Sequence, residues 1–357
     1  MLNMNELWRQ LAGGIAIVTL ALWLKRDSMK KLLHNSHSFV KIRARATAWL
    51  VAFSGTSNSL TNLPIVEKLD SNVLRVLGLN PGRMTLQGTN TYVVGTGASR
   101  ILIDTGDGSK KYLNTLLVAL QAHQVDTISD IVLTHGHFDH IGGLWQLQKQ
   151  FPKARVWKML TYVDSPTKCE CSSHVSNAYS IDEFQMCDLN ELIVTGKALE
   201  TEGASLKPIY TPGHTNDHVC FLLDDSSIFT GDCVLGEGTC TFQSLQEYMN
   251  SLRKIRGMNP TCLYPGHGPV VKNACETIDM YLKHRQQRED EILNVLRSTP
   301  TASVREIVTK IYPKLPYMLQ IAAGRNVSMH LKKLLDDKVV TIAQSTYFGG
   351  TQYKLVL

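Results

Sequence analysis

The chain has 357 residues, 43% of them hydrophobic, with 37 Lys or Arg against 31 Asp or Glu and a formal charge of +6. This is the composition of an ordinary soluble globular protein, with length enough for one large domain plus a small one and a sizeable core. The excess charge is no general sign of a nucleic-acid partner, because residues 1–60 carry eight Lys or Arg against Glu6 and Asp27 and the remaining residues balance. Eight cysteines occur without a CxxC pair or the density of a disulfide scaffold, which reads as reduced thiols in an intracellular compartment. Cys169, Cys171 and His174 match no common zinc spacing and read as a surface loop.

In chain order, residues 1–65 form a basic leader. Its apolar run from Leu11 to Leu24 is shorter than the ~20 residues that cross a bilayer. From Met29 to Asn62 there is no Asp or Glu among the Lys, Arg, Ser and bulky apolar residues, the composition of a mitochondrial transit peptide. Import into the mitochondrial matrix is the expectation, with anchoring through residues 11–24 or a cytoplasmic location as alternatives. Whether the leader is cleaved or translation starts at Met29 is open.

The main domain is expected over 66–287. Val73–Gly78, Thr91–Val94, Arg100–Asp104, Asp130–Thr134 and Ala154–Trp157 read as strands; Lys110–His123 and Ile141–Gln150 read as helices. This alternation predicts helices packed on sheet faces. Candidate ligands follow short apolar runs. Ile131-Val132-Leu133-Thr134 leads to His135, Ile209 to Gly213 leads to His214, Ile228-Phe229-Thr230-Gly231 to Asp232, and Cys262 to Gly266 to His267. Polar groups leaving strand ends together converge on one rim, where rigid strands position reactive loops. The stretch 161–190 carries no interpretable signal. Residues 288–357 are expected as a winged-helix-like domain, with helices at Glu291–Arg297, Ser303–Ile311 and Val327–Leu335 and a hairpin from Val339–Ala343 and Gln352–Val356. Arg325, Lys332, Lys333 and Lys338 lie on or near its last helix and read either as a solvated face or as a nucleic-acid contact.

The run Thr134-His135-Gly136-His137-Phe138-Asp139-His140 sets three imidazoles and a carboxylate within six residues. Burying them costs heavily unless something shares their lone pairs, and imidazole with carboxylate suits borderline divalent metals such as zinc, with manganese or iron open. With His214, Asp232 and His267 there are seven candidate ligands, more than one tetrahedral site accepts. They suit two divalent ions about 3.5 to 4 Å apart that lower the pKa of bound water.

These residues strongly resemble the metallo-β-lactamase superfamily, over about residues 71 to 285. The resemblance implies an α/β (α+β) fold of the αββα sandwich type. It implies that His135, His137 and His214 hold one metal, Asp139, His140 and His267 the other, and that Asp232 bridges. It further implies that Asp104, in Ile103-Asp104-Thr105-Gly106, steadies the histidine loop. His218 recurs four residues after His214 and is read as a supporting group behind the ligands, with protonation of a leaving group as the sharper role. Fold alone selects no substrate. The stretches Asn80 to Tyr92, Phe229 to Thr239 and Tyr264 to Val270 are similar to a branch described as mitochondrial endoribonucleases acting on single-stranded RNA and ending in a winged-helix-like module. Hydrolysis of RNA phosphodiesters through a bridging hydroxide, with Asp139 orienting or deprotonating the water, is therefore expected. The alternative is a glyoxalase II-type thioesterase, which shares all seven ligands. Gly136 and Phe138 depart from the branch, which has Trp and Arg there.

Overall fold

The computed structural model describes residues 60–160, 186–224, 226–346 and 350–356. The leader run Leu11–Leu24, Met29 and the Cys169, Cys171 and His174 group lie outside the described residues. The described residues form one compact unit. No helix among the described residues is long and apolar enough to cross a membrane. Cys187, Cys220, Cys233, Cys240, Cys262 and Cys275 carry free thiols.

Strands β1 (Val66–Asp70), β2 (Val73–Leu77), β3 (Asn90–Val94), β4 (Ser99–Ile103), β5 (Thr127–Val132), β6 (Arg155–Lys158) and β7 (Met186–Asp188) form one sheet in chain order. Pairing is antiparallel from β1 to β4 and parallel from β4 to β7. The second sheet runs β12-β11-β10-β9-β8, from β8 (Leu199–Thr201), β9 (Ala204–Tyr210), β10 (Val219–Leu223), β11 (Ser227–Gly231) and β12 (Cys262–Pro265).

Alternation along the strands divides the core into layers. Tyr92 and Val94 of β3, with Ile101 and Ile103 of β4, meet Phe221 and Phe229 from the other sheet. Val93 and Leu102 turn the other way, onto Leu116 and Leu120 of α1 (Lys110–Ala122) and Leu147 of α3 (Leu144–Gln150). On the far side, Cys220 and Ile228 face Leu252 and Ile255 of α5 (Leu245–Gly257) and Ile278 of α6 (Ala274–Arg297). The result is helix, sheet, sheet, helix. Two shorter helices, α2 (Phe138–Ile141) and α4 (Leu189–Thr195), also belong to the domain. The helix expected over Ile141–Gln150 is corrected to two. A Cβ at Gly142 would lie 2.7 Å from Asp107 O and one at Gly143 only 2.1 Å from Thr105 O, so a crossing backbone segment occupies the place of a continuous helix.

The C-terminal module holds α7 (Val304–Ile311), α8 (Tyr317–Asp336) and a small sheet of β13 (Ala302–Ser303), β14 (Val340–Thr346) and β15 (Gly350–Leu355), ordered β13-β15-β14. A capping box of Ser303 and Glu306 starts α7. Two helices are longer than their apolar spacing predicts: Glu291–Arg297 is only the end of the 24-residue α6, and α8 begins ten residues before Val327. The 287/288 boundary falls inside α6, whose Ile292, Val295 and Leu296 belong to the C-terminal core.

Candidate metal centre

Each ligand candidate leaves the end of a strand or the loop beyond it, as the apolar runs predict. His135 follows β5, His214 lies between β9 and β10, Asp232 follows β11 directly, and His267 follows β12. His137 caps α2, which carries Asp139 and His140 in its single turn. The structure brings all seven together. They divide into His135, His137, His214 and Asp232 on one side and Asp139, His140 and His267 on the other.

The donor geometry calls for cations. His135 Nε2 lies 2.9 Å and His214 Nε2 3.0 Å from His137 Nδ1. Protons alone serve three converging ring nitrogens poorly, whereas one divalent ion accepts a lone pair from each. In the second group, His267 Nε2 and His140 Nε2 lie 3.2 and 3.3 Å from Asp139 Oδ2. Asp232 faces both groups: Oδ2 is 3.5 Å from His214 Nε2, while Oδ1 is 3.2 Å from His267 Nε2 and 3.4 Å from His140 Nε2. Asp232 Oδ1 is buried and, though close to these ring nitrogens, makes no well-aligned hydrogen bond among the described residues, as a coordinating oxygen would. The residues therefore fit metal ions.

Charge is polarised across the cluster. Burial drives His135 well below its usual pKa, helped by His140 and His214, and takes His214 down to about 4 against the opposing charge of Asp232. Burial also lowers His137. Burial opposes ionisation of Asp139 and Asp232, yet the facing imidazoles hold both carboxyls below the usual range. His140 is raised, and His267 reaches about 9, because neighbouring carboxylates outweigh their burial. The rings of His135, His137 and His214 are neutral donors, whereas His140 and His267 sit where Asp139 and Asp232 demand positive charge.

Partners behind the ligands fix the rings. Asp104 Oδ1 accepts from Thr134 N at 2.8 Å and its Oδ2 lies 2.7 Å from His140 Nδ1. Thr134 Oγ1 donates to Asp104 and lies 3.0 Å from His135 Nδ1. His218 is fully buried; its Nε2 accepts from Asp232 N at 3.2 Å and its Nδ1 lies 2.9 Å from Thr211 Oγ1. With both nitrogens engaged, His218 holds the ligand backbone. Sequence reading did not single out Thr134, nor Thr89, whose Oγ1 lies 3.2 Å from Asp139 Oδ2. Thr134 opens the histidine run and Thr89 lies within Asn80 to Tyr92, which was the available signal. Arg325 and Lys332 are exposed on α8, while Lys333 is tied to Glu289 and Asp337.

Comparison with known proteins agrees with this geometry. A profile of the metallo-beta-lactamase superfamily matches residues 84–267, and one of the beta-lactamase associated winged helix domain matches residues 303–346. A Caenorhabditis elegans protein named beta-lactamase-like protein 2 homolog is 39% identical over 286 residues, 79% of this chain and 90% of that one. The Drosophila melanogaster protein of the same name is also 39% identical, over 79% of this chain and 94% of its own. An Aspergillus fumigatus protein named atrochrysone carboxyl ACP thioesterase is 38% identical over 73% of this chain and 79% of its own. Among solved structures, a beta-lactamase domain protein from Burkholderia ambifaria superposes with a TM-score of 0.65 at 17% identity, over 83% of this chain and 96% of that one, which supports the fold. With its His/Asp cluster and its C-terminal winged helix, the chain belongs to the metallo-beta-lactamase superfamily of hydrolases.

Proposed function

We propose that the protein is an endoribonuclease that hydrolyses phosphodiester bonds of single-stranded RNA, using two divalent ions, zinc in the first instance. The observation that carries the reading is the split of Asp232, one oxygen toward each donor group, which suits a pair of ions across which a phosphoryl group is clamped. When bound, the ions would supply the Lewis acidity that activates water and neutralises phosphoryl oxygens. The chain's own residues do the rest. Asp139 stays ionised and half-buried, placed to orient the water or to take its proton. Asp104, through Thr134 and His140, and His218, through the Asp232 amide, hold the donors in place. Phe138, 45% exposed beside Asp139, offers a face on which a base can stack. Between Asp232 and His267 the chain forms α5 and then β12, and Leu245, Tyr248, Leu252 and Ile255 of α5 pack into the core rather than over the site. The exposed Arg325 and Lys332 of α8 would meet the RNA backbone. A mitochondrial location, on the composition of residues 29–62, belongs to the same proposal.

Thioester hydrolysis is the second reading, favoured by the name of the Aspergillus fumigatus relative. One experiment separates them: cleavage of a labelled single-stranded RNA by the zinc-loaded chain and its Asp139→Ala variant, beside lactoylglutathione and an acyl-phosphopantetheine thioester. RNA cleavage that drops about 10²- to 10⁴-fold in the variant, without thioester turnover, is the expected result. Thioester turnover with intact RNA overturns it.

A further inference from the structure

Metal-binding histidines almost always donate their outer ring N–H to a partner that fixes the ring and raises its basicity. Four of the five histidines here have such a partner. His135 Nδ1 has Thr134 Oγ1, His140 Nδ1 has Asp104, His214 Nδ1 lies 2.7 Å from Thr241 O, and His267 Nδ1 lies 3.4 Å from Gly88 O. His137 is the exception. Its Nδ1 faces the other donors, which leaves Nε2 outermost, and no partner of Nε2 occurs among the described residues.

Beside this ring lies a buried charge that the site does not otherwise use. Lys158, at the end of β6, pairs with Asp217, three residues after His214, and the two are 8% and 7% exposed. Lys158 Nζ takes Asp217 Oδ2 and also donates to Met159 O at 3.3 Å; Asp217 Oδ1 is buried with no well-aligned hydrogen-bond partner among the described residues, the Thr215 side chain being the carboxylate's other polar neighbour. The pair abuts the ligand loop. A Cβ built on Gly136, the residue before His137, would stand 3.0 Å from Asp217 Oδ2 and 3.8 Å from Lys158 Nζ. A buried ion pair rarely adds stability over apolar side chains of similar volume, so stability alone does not account for this one.

We propose that Asp217, held by Lys158, is the outer hydrogen-bond acceptor of His137, reached across one water. It acts as a positioning residue for the donor group of His135, His137 and His214. The inference rests on the two-ion reading of the centre. The test is titration of the metal-free full chain with zinc against a chromophoric chelator. Asp217→Ala is expected to weaken one zinc equivalent about 10- to 100-fold and leave the other unchanged. Asp217→Asn, which keeps an acceptor oxygen, should recover part of the loss. The double substitution Lys158→Met with Asp217→Leu removes both charges without leaving one unpaired. It should melt within a few degrees of wild type when metal-free and still bind that equivalent weakly. Wild-type affinity in the double variant, or equal weakening of both equivalents, overturns the proposal. A wild-type chain that binds a single zinc counts against the two-ion reading instead, and the Asp217 comparison is then made on that one ion. Should Asp217→Ala fail to fold, the double variant decides.

Discussion

Asp104 is 2% exposed and holds φ at +59°, a left-handed conformation uncommon outside glycine and tolerated best by Asn and Asp. The backbone turn aims both carboxylate oxygens at the histidine loop, where they satisfy the Thr134 amide and hydroxyl and the His140 ring. Two substitutions separate these roles. Asp104→Ala strands buried donors, each costing about 1 to 3 kcal/mol, and loses the side chain that tolerates the turn. Chemical denaturation should show a loss of about 3 kcal/mol. Asp104→Asn keeps the shape and the turn, so most of the stability should survive, while the group around His140 loses the carboxylate that orients it and binds zinc about 10- to 100-fold more weakly. An Asn variant with wild-type zinc affinity would show that Asp104 serves the fold alone.

Among the elements, the strand ends were legible because a strand and the ligand after it are neighbours in sequence. The runs before His135, His214, Asp232 and His267 each show apolar residues followed by a turn. What was not legible depends on contacts distant in sequence. Lys158 and Asp217 are 59 residues apart and give no local signal. The break between α2 and α3 depends on the segment Thr105 to Asp107 crossing Gly142 and Gly143. Most of α6 was missed because its buried stripe, Ile278, Tyr281, Arg285 and Ile292, includes a cation and so blurs the apolar period. Gly213, just before His214, has φ +131°, and a Cβ there would lie 2.3 Å from the Tyr248 amide nitrogen and 2.4 Å from its Cα, at the start of α5. Gly213→Ala should therefore cost about 3 kcal/mol or more in urea unfolding, and trimming Tyr248 should not relieve it, because the clash is with backbone. Gly196→Ala is the control. That residue also has positive φ, at the end of α4, but nothing lies within 4 Å of the added carbon, so only about 1 kcal/mol is expected. Equal costs at the two positions would refute the close packing of α5 on the His214 loop.

At the scale of the molecule, α8 joins the C-terminal module to the main domain. Its Val327, Leu331 and Leu334 fill the module's core, while Met329 packs against the helix layer on the second sheet. Between them His330 is fully buried, with neither ring nitrogen hydrogen-bonded among the described residues. Burial, reinforced by Arg285, Arg288 and His284 of α6 and by Lys333 of α8, lowers its pKa to about 3. The unfolded ring takes up a proton below its ordinary value of about 6.5, and the folded ring only near 3. Between those values the unfolded chain binds more protons, so stability falls as pH falls, by about 2 kcal/mol at pH 5 from this group. Acid also protonates metal ligands, so the measurement belongs in the metal-free chain and is read as a difference between variants. His330→Leu replaces two unpartnered nitrogens with apolar atoms and should stay within about 1 kcal/mol of wild type at pH 7.5. Its urea midpoint should then fall less than that of wild type between pH 7 and 5, and the gap should widen as pH drops further. Parallel acid limbs in the two proteins would place the loss on other groups and remove His330 from the account of how the two modules stay together.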